Sequence, residues 1–93
     1  MRDDEFEWDD AKAASNVRDH GVTFEQARAA FFDPVWVDFD DPDPDEDRFN
    51  RLCMLDVQLY VVTYTERGPR VRIISARRAN KHEQAIYIGR RTR

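Results

Sequence analysis

Residues 59–75 read LYVVTYTERGPRVRIIS, and this stretch indicates the fold class more clearly than any other. Its two halves, 59–65 and 70–75, are rich in β-branched and aromatic residues and are separated by a short segment that contains a Gly-Pro pair. This composition predicts two antiparallel strands joined by a turn. A further strand is predicted at 48–55, only three residues earlier, so the sequence predicts an antiparallel meander.

Upstream of the meander, a first helix is predicted from Asp9 or Asp10 to about Asp19. Either aspartate suits the N-cap position, and Gly21 is the stop signal. Helical spacing places Ala11, Ala14 and Val17 on one face, and Lys12, Asn16 and Asp19 on other sides.

A second helix is predicted to start at a capping box. Thr23 and Gln26 have the spacing at which each side chain satisfies a free backbone amide of the other. This helix should end before Asp33-Pro34. It places Phe24, Ala27 and Phe31 on one stripe.

The remaining elements complete an α+β fold. Short strands are predicted at 6–8 and 35–39, and a closing helix from Asn80, a candidate cap, to about Arg90. The expected architecture is an antiparallel sheet of about four to five strands with two N-terminal helices and one C-terminal helix, in a single domain covering residues 1–93. Six of the eight residues at 40–47 are acidic, and the other two are prolines. This composition predicts an exposed, mobile loop.

The net charge of −4 conceals two halves of opposite sign. Residues 1–47 carry sixteen acids and four bases, which gives −12, whereas residues 48–93 carry three acids and eleven bases, which gives +8. Ten of those eleven bases are arginine, whose planar guanidinium binds phosphate through two hydrogen bonds. The second half therefore suits an anionic partner such as RNA. The alternative is that the two halves neutralise each other within the monomer.

Composition also narrows the cellular setting. The sequence contains no apolar run of about 18 residues, and we expect no secretory signal at its acidic amino terminus. Cys53 is the single cysteine and cannot form an internal disulfide, so a reducing cytoplasm is expected. Two histidines and one cysteine at unrelated spacings do not predict a metal site.

Arginines dominate the last predicted strand. Strand alternation puts Arg70 and Arg72 on one face, and Val71 and Ile73 on the other, towards the core. Arg77 has the opposite parity unless the strand ends before it. Arginines on an exposed strand often only keep an edge soluble, which is the plain alternative to a binding role.

Three other residues each have a structural and a functional interpretation. Glu66 lies among cations, which favours an ion pair, but its carboxylate could instead accept a proton from a ribose hydroxyl. Tyr64 could stack on a base or pack in the core. His20, at the end of the first helix, could cap that helix or shuttle protons.

Short sequence blocks spread over almost the whole chain carry one family resemblance. They are FEWD at 6–9 with Lys12, Ala13 and Asn16, HGVTFE at 20–25 with Ala27, FDP at 32–34, RF at 48–49, VVTYTERG at 61–68 and RIISARRA at 72–79. In this order they resemble the BrnT family of type II toxins, with the acidic loop as the variable part. The resemblance implies a RelE-like ribonuclease that needs no metal or other cofactor, inhibits translation and is neutralised by a DNA-binding antitoxin called BrnA. Operator DNA would be contacted only through that antitoxin.

The same resemblance implies an active surface. Its cations would hold the phosphate and stabilise the charge that develops as the 2′-oxygen attacks. The catalytic candidates are Lys12, His20, Glu66, Arg67, Arg72 and Arg77, and the candidates for RNA binding are Arg70, Arg78 and Tyr64. The acidic loop departs from this pattern, because it would either repel RNA or bind positive residues of the antitoxin.

Two other functions are compatible with these residues. One is a non-catalytic module of a toxin–antitoxin operon, which binds its partner or acts as a corepressor. The other is a nucleic-acid binder that does not cleave, although no aromatic platform for stacking bases is visible in the sequence.

Overall fold

The computed structural model describes residues 1–40 and 47–92, and within them the chain forms three helices and five strands. The elements are β1 (Phe6–Glu7), α1 (Asp10–His20), α2 (Phe24–Ala30), β2 (Val37–Asp40), β3 (Phe49–Leu55), β4 (Gln58–Arg67), β5 (Arg70–Arg78) and α3 (Lys81–Arg91). The predicted α+β class is confirmed. Most of the predicted acidic loop falls on residues 41–46, so its proposed exposure and mobility lie outside the described residues. No helix in the described ranges is long and apolar enough to cross a membrane.

The sheet has the order β1-β5-β4-β3-β2. Strands β2 to β5 form the predicted antiparallel meander. The prediction of a wholly antiparallel sheet was wrong, because β1 pairs parallel to β5, with Phe6 opposite Val71 and Glu7 opposite Arg72. The opening strand therefore lies beside the last strand of the chain, and the sheet is mixed.

A β-bulge interrupts the pairing of β4 with β5. Thr63 lies opposite Ser75, but the next residue, Tyr64, lies opposite Ile73. Ile74 is thus an extra residue in β5 without a partner in β4. Such a residue reverses the alternation of side chains in the strand that carries it.

The bulge decides which face Arg77 occupies. Directly paired residues share a face of a sheet. Arg72 is paired with Thr65 and Arg77 with Val61, and these two β4 residues have the same parity. Simple alternation puts Arg77 on the face opposite to Arg72 unless the strand ends first, and neither condition describes the structure. The strand continues past Arg77, and its extra residue brings both guanidinium groups to one face.

Helices α1 and α2 cover one face of the sheet and enclose the larger core. The predicted α2 stripe of Phe24, Ala27 and Phe31 is buried, and the Thr23–Gln26 capping box is present. The apolar side chains that meet this stripe come from β1, β4, β5 and the connections beside them. They include Phe6, Trp8, Val22, Tyr60, Val62, Tyr64, Ile73 and Ala76.

Helix α1 packs through a different face from the apolar one in the sequence. It is capped by Asp9 and ends at Gly21, whose φ of 67° is readily adopted by glycine. Val17 is 45% exposed, whereas Asn16 is buried. Three hydrogen bonds explain this: the Asn16 amide donates to the carbonyls of Val22 and Ala76, both at 2.8 Å, and accepts from the Ala76 N–H at 3.1 Å. The side chain thereby takes the place of a neighbouring strand along the edge of β5.

Helix α3 covers part of the opposite face. It starts at the predicted cap, Asn80, and its first turn is closed by a capping box with Glu83. Tyr87 packs against β3 and β4 and donates a 2.6 Å hydrogen bond to Asp33. Asp33 also accepts from the backbone amides of Val35 and Met54, so it joins α3 to the sheet.

We expect Asn16→Ala to destabilise the fold strongly. The variant leaves the buried N–H and C=O of Ala76 without their partner, and we expect a loss of about 2–4 kcal/mol in the free energy of unfolding. Urea unfolding measures this loss. Ser15→Ala on the same helix is the matched control, because its hydroxyl bonds only the exposed Lys12 carbonyl and its removal should change little. Equal losses in the two variants would contradict this role of Asn16.

Candidate functional site

The sheet face that carries α3 is covered by it only at one end. There Tyr87 lies over Leu52, Leu59 and Val61. We call the remainder, which α3 does not cover, the open face; Asn50 and Thr65 within it are buried, and the Thr65 hydroxyl donates to the Asp47 carbonyl at 2.7 Å. By strand register, the open face carries Glu7, Asn50, Thr63, Thr65, Arg67, Arg70, Arg72, Ser75 and Arg77.

Four predicted site arginines share the open face. Arg67 and Arg70 lie opposite each other at the β4–β5 turn, and Arg72 follows one pleat further along β5. Arg70 donates from Nε to the carbonyl of Asp3 at 2.7 Å. The floor beside them is polar, because the Thr63 hydroxyl donates to Asn50 at 2.6 Å.

Arg72 is held by a single hydrogen bond to a carboxylate. Its Nη1 donates to Oε2 of Glu7 at 2.7 Å across the parallel β1–β5 pair. Both side chains are partly accessible, at 26% for Arg72 and 16% for Glu7. Across residues 1–40 and 47–92, Nε and Nη2 of Arg72 have no hydrogen-bond partner, so they are available to an anion.

Arg77 is held more firmly. Its two Nη nitrogens donate to the two carboxylate oxygens of Glu83, both at 2.8 Å. Glu83 also accepts from the Asn80 N–H at 2.9 Å, as part of the capping box of α3. The hydrogen bonds from Arg77 hold the pKa of Glu83 below its ordinary value, against the opposing effect of burial. Arg77 therefore presents mainly its Nε to a ligand.

Lys12 and Arg72 both act on the carboxylate of Asp9. Lys12 belongs to the first turn of α1, and its backbone N–H donates to the capping carboxylate of Asp9. This hydrogen bond lowers the pKa of Asp9, and the nearby charges of Lys12 and Arg72 lower it further. Asp9 thus lies close to both cations. This predicted lysine therefore lies at the start of α1, and its shared effect on Asp9 is its only link to Arg72 within the described ranges.

Three predicted site residues lie on the other face of the sheet. Glu66 pairs with Val71 and Arg78 with Tyr60, both on the helix-covered side. Glu66 and Arg78 are exposed. The expected ion pair of Glu66 is absent from the described parts of the chain, because this exposed side chain extends from the β4–β5 turn into solvent.

Tyr64 is the third residue on that face, and it packs rather than stacks. It is 4% exposed, and its hydroxyl donates to Asp38 at 2.7 Å. Burial, together with this hydrogen bond, raises the pKa of Tyr64 to about 12. A base could reach the ring only if the core opened.

His20 stands apart from the arginines. It is the last residue of α1 and is exposed. Helical rise places it about 12 Å along the axis from Lys12. The structure does not bring it into contact with any other predicted site residue in the described ranges.

Sequence reasoning missed the two carboxylates that hold the site arginines. Glu7 gave no local signal, because its contact with Arg72 depends on a pairing 65 residues apart. Glu83 did have a local signal in the sequence, since it follows Asn80 at capping-box spacing. Only the cap itself was predicted there.

Ion pairs also link the acidic and basic halves, so the alternative of internal neutralisation is partly confirmed. Besides Arg72 with Glu7, Arg51 binds Asp38 through Nε at 2.8 Å and through Nη2 at 3.0 Å. The Arg51 guanidinium lies 3.8 Å from the ring centroid of Phe31, which fixes it further. Arg51 is thus a structural arginine, distinct from those of the open face.

The fold and site define a small α+β protein whose mixed sheet presents a cationic face. One family profile matches residues 8–83, and its description is the ribonuclease toxin BrnT of a type II toxin–antitoxin system. This match covers most of the chain, so the chain belongs to the BrnT family of ribonuclease toxins. The family implies an antitoxin partner. A search of curated proteins found no match.

We expect the Arg77–Glu83 pair to stabilise the fold at neutral pH and to stop doing so in acid. The pKa of Glu83 is lower in the folded chain than its ordinary value of 4.5, so this stabilisation is present above that pH and is lost as pH falls through the folded-state pKa. Glu83→Gln keeps the size of the side chain but removes the charge. It should cost about 1–3 kcal/mol at pH 7.

Urea unfolding of both proteins between pH 7 and pH 3 measures this difference. It should become smaller as the pH falls, because protonation of Glu83 removes the charge that distinguishes it from glutamine. Glu66→Gln is the control, because Glu66 is exposed and lacks an ion pair within the described ranges. A difference between wild type and Glu83→Gln that stays constant with pH would contradict the ionic role of Glu83.

Proposed function

We propose that this BrnT family member is a metal-independent endoribonuclease that inhibits translation in the cytoplasm. The observation that supports this most directly is that Arg67, Arg70, Arg72 and Arg77 share one face of the sheet, beyond the part that α3 covers. Guanidinium groups fixed on a rigid sheet can hold a phosphodiester and stabilise the charge that develops on it. Such electrostatic stabilisation, with a proton acceptor near the ribose, is enough for attack by the 2′-hydroxyl.

Arg72 is the principal phosphate ligand in this proposal. It keeps two nitrogens free of protein partners in the described residues, and the flanking Glu7 fixes its position. Arg67 and Arg70 share its face of the sheet and, together with Lys12 at the start of α1, would bind neighbouring phosphates. His20 is kept as a candidate for proton transfer because it is exposed, while Tyr64, Glu66 and Arg78 are left out of the surface.

One contact favours a non-catalytic function as the second candidate. Both Nη nitrogens of Arg77 are taken by Glu83, which is the arrangement that a purely structural arginine would have. A partner-binding or corepressor module of a toxin–antitoxin operon would not require Arg77 to bind phosphate. The two functions differ in whether the protein alone cleaves RNA.

The proposed partner is an antitoxin of the BrnA type, through which the complex would contact operator DNA. Expression of the chain from an inducible promoter in a bacterial host should arrest growth, and co-expression of the neighbouring reading frame should relieve the arrest. RNA should be cleaved by the purified protein in excess chelator. A gel shift without fragments would instead support binding without cleavage.

We expect Arg72→Ala to abolish toxicity and Arg78→Ala to preserve it. Both arginines belong to β5, but only Arg72 lies on the open face. Loss of a group that stabilises the transition state should reduce RNA cleavage about 10²–10³-fold. Initial rates of cleavage of an RNA substrate measure the effect. Equal losses in both variants would show that general positive charge, rather than the open face, carries the activity.

A further inference from the structure

A ribonuclease of the proposed kind needs a proton acceptor close to the arginine that holds the phosphate. Among residues 1–40 and 47–92, the carboxylates that interact with Arg72 or Arg77 are Glu7, Asp9 and Glu83. Glu83 is occupied, because both of its oxygens accept from Arg77. Asp9 caps α1, and the backbone N–H and nearby cations that lower its pKa make it a weak base.

Glu7 has the geometry that the other two lack. One of its oxygens, Oε2, binds Arg72 at 2.7 Å, and Oε1 has no hydrogen-bond partner within the described ranges. No fully buried side-chain oxygen or nitrogen in those ranges lacks a partner, so this unbonded Oε1 reaches the surface. The two carboxylate oxygens belong to one planar group, so a phosphate held by Arg72 would bring its ribose 2′-hydroxyl near the open Oε1. Glu7 can therefore hold Arg72 with one oxygen and meet the hydroxyl with the other.

We propose that Glu7 is the general base of the cleavage reaction, and this inference rests on the proposed function. The proton of the 2′-hydroxyl moves to the Glu7 carboxylate as the 2′-oxygen forms a bond to phosphorus. The bond from phosphorus to the 5′-oxygen breaks, and that oxygen leaves with a proton from water; the hydroxide so formed takes the proton from Glu7 and restores its carboxylate. The products are a 2′,3′-cyclic phosphate and a 5′-hydroxyl, and Arg72 stabilises the charge on the phosphoryl oxygens in between.

The same register excludes Glu66 from this role. Glu66 pairs with Val71 on the helix-covered face, whereas its neighbour Thr65 pairs with Arg72 on the open face. The Glu66 carboxylate, which the sequence suggested as a proton acceptor, therefore lies on the opposite face of the sheet from Arg72. The acid that lies beside Arg72 comes from the first strand of the chain.

Glu7→Gln tests the inference. Glutamine keeps an oxygen that can accept from Arg72 but cannot take up a proton, so we expect cleavage to fall by about 10²–10⁴-fold. Binding of the same RNA with 2′-O-methyl groups, which cannot react, should change less than threefold. A residue that only supported the fold would lower binding and cleavage together. Glu5→Gln, an exposed carboxylate two residues earlier, is the matched control and should cleave normally.

The possible outcomes separate this inference from the proposed function. Assays with wild-type protein are run on RNA alone and on RNA with ribosomes. If wild type cleaves and Glu7→Gln cleaves within threefold of it, Glu7 is not the base, although the function stands. If wild type cleaves in neither assay, both proposals are overturned. Should Glu7→Gln fail to fold, Glu7→Asp keeps the charge one methylene further back, and cleavage at the wild-type rate would overturn the inference.

Discussion

The register of β5 against β4 is the constraint on which the site depends. A regular strand would turn Arg72 and Arg77 to opposite faces, and one of them would then point into the core beneath the helices. The unpaired Ile74 prevents this, because it shifts the alternation by one residue between the two arginines. The same bulge leaves Ile73 and Ala76 both buried under α1 and α2. One extra residue therefore lets Ile73 and Ala76 face the core while Arg72 and Arg77 share the opposite face.

The carboxylates of this small protein are distributed in a way that limits what its arginines can do. Arg51 is enclosed by Asp38 and aromatic rings, Arg77 is bound through both Nη nitrogens, and Arg72 is bound through only one. This order of restraint separates arginines that hold the structure from one that can exchange partners. Total charge conceals the distinction, since all three carry the same +1. The opposite charges of the two halves thus stabilise the fold through ion pairs such as Arg51 with Asp38, and they leave Arg72 bound through only one nitrogen.

Local features of the fold could be predicted from the sequence, and long-range ones could not. The Thr23 capping box, the Gly21 stop and the antiparallel meander each depend on residues close together in the chain, and all three are confirmed. The parallel pairing of β1 depends on a contact between the two ends of the chain, for which no local pattern exists. The face that α1 buries could not be predicted for the same reason, because Asn16 finds its partner in Ala76, 60 residues away. The same holds for the candidate site. Its arginines could be predicted from the sequence, but the face they share and the carboxylates that bind them could not.

The double role of Glu83 makes the start of α3 responsive to what happens at Arg77. A single carboxylate closes the first turn of the helix and holds both Nη nitrogens of the arginine. An anion that recruits those nitrogens must compete with the helix for them, so its binding energy is reduced by the cost of loosening that turn. By reciprocity, any molecule that clamps α3 against the sheet weakens the anion's hold on Arg77. Anion binding at Arg77 and the packing of α3 against the sheet are therefore thermodynamically linked through Glu83.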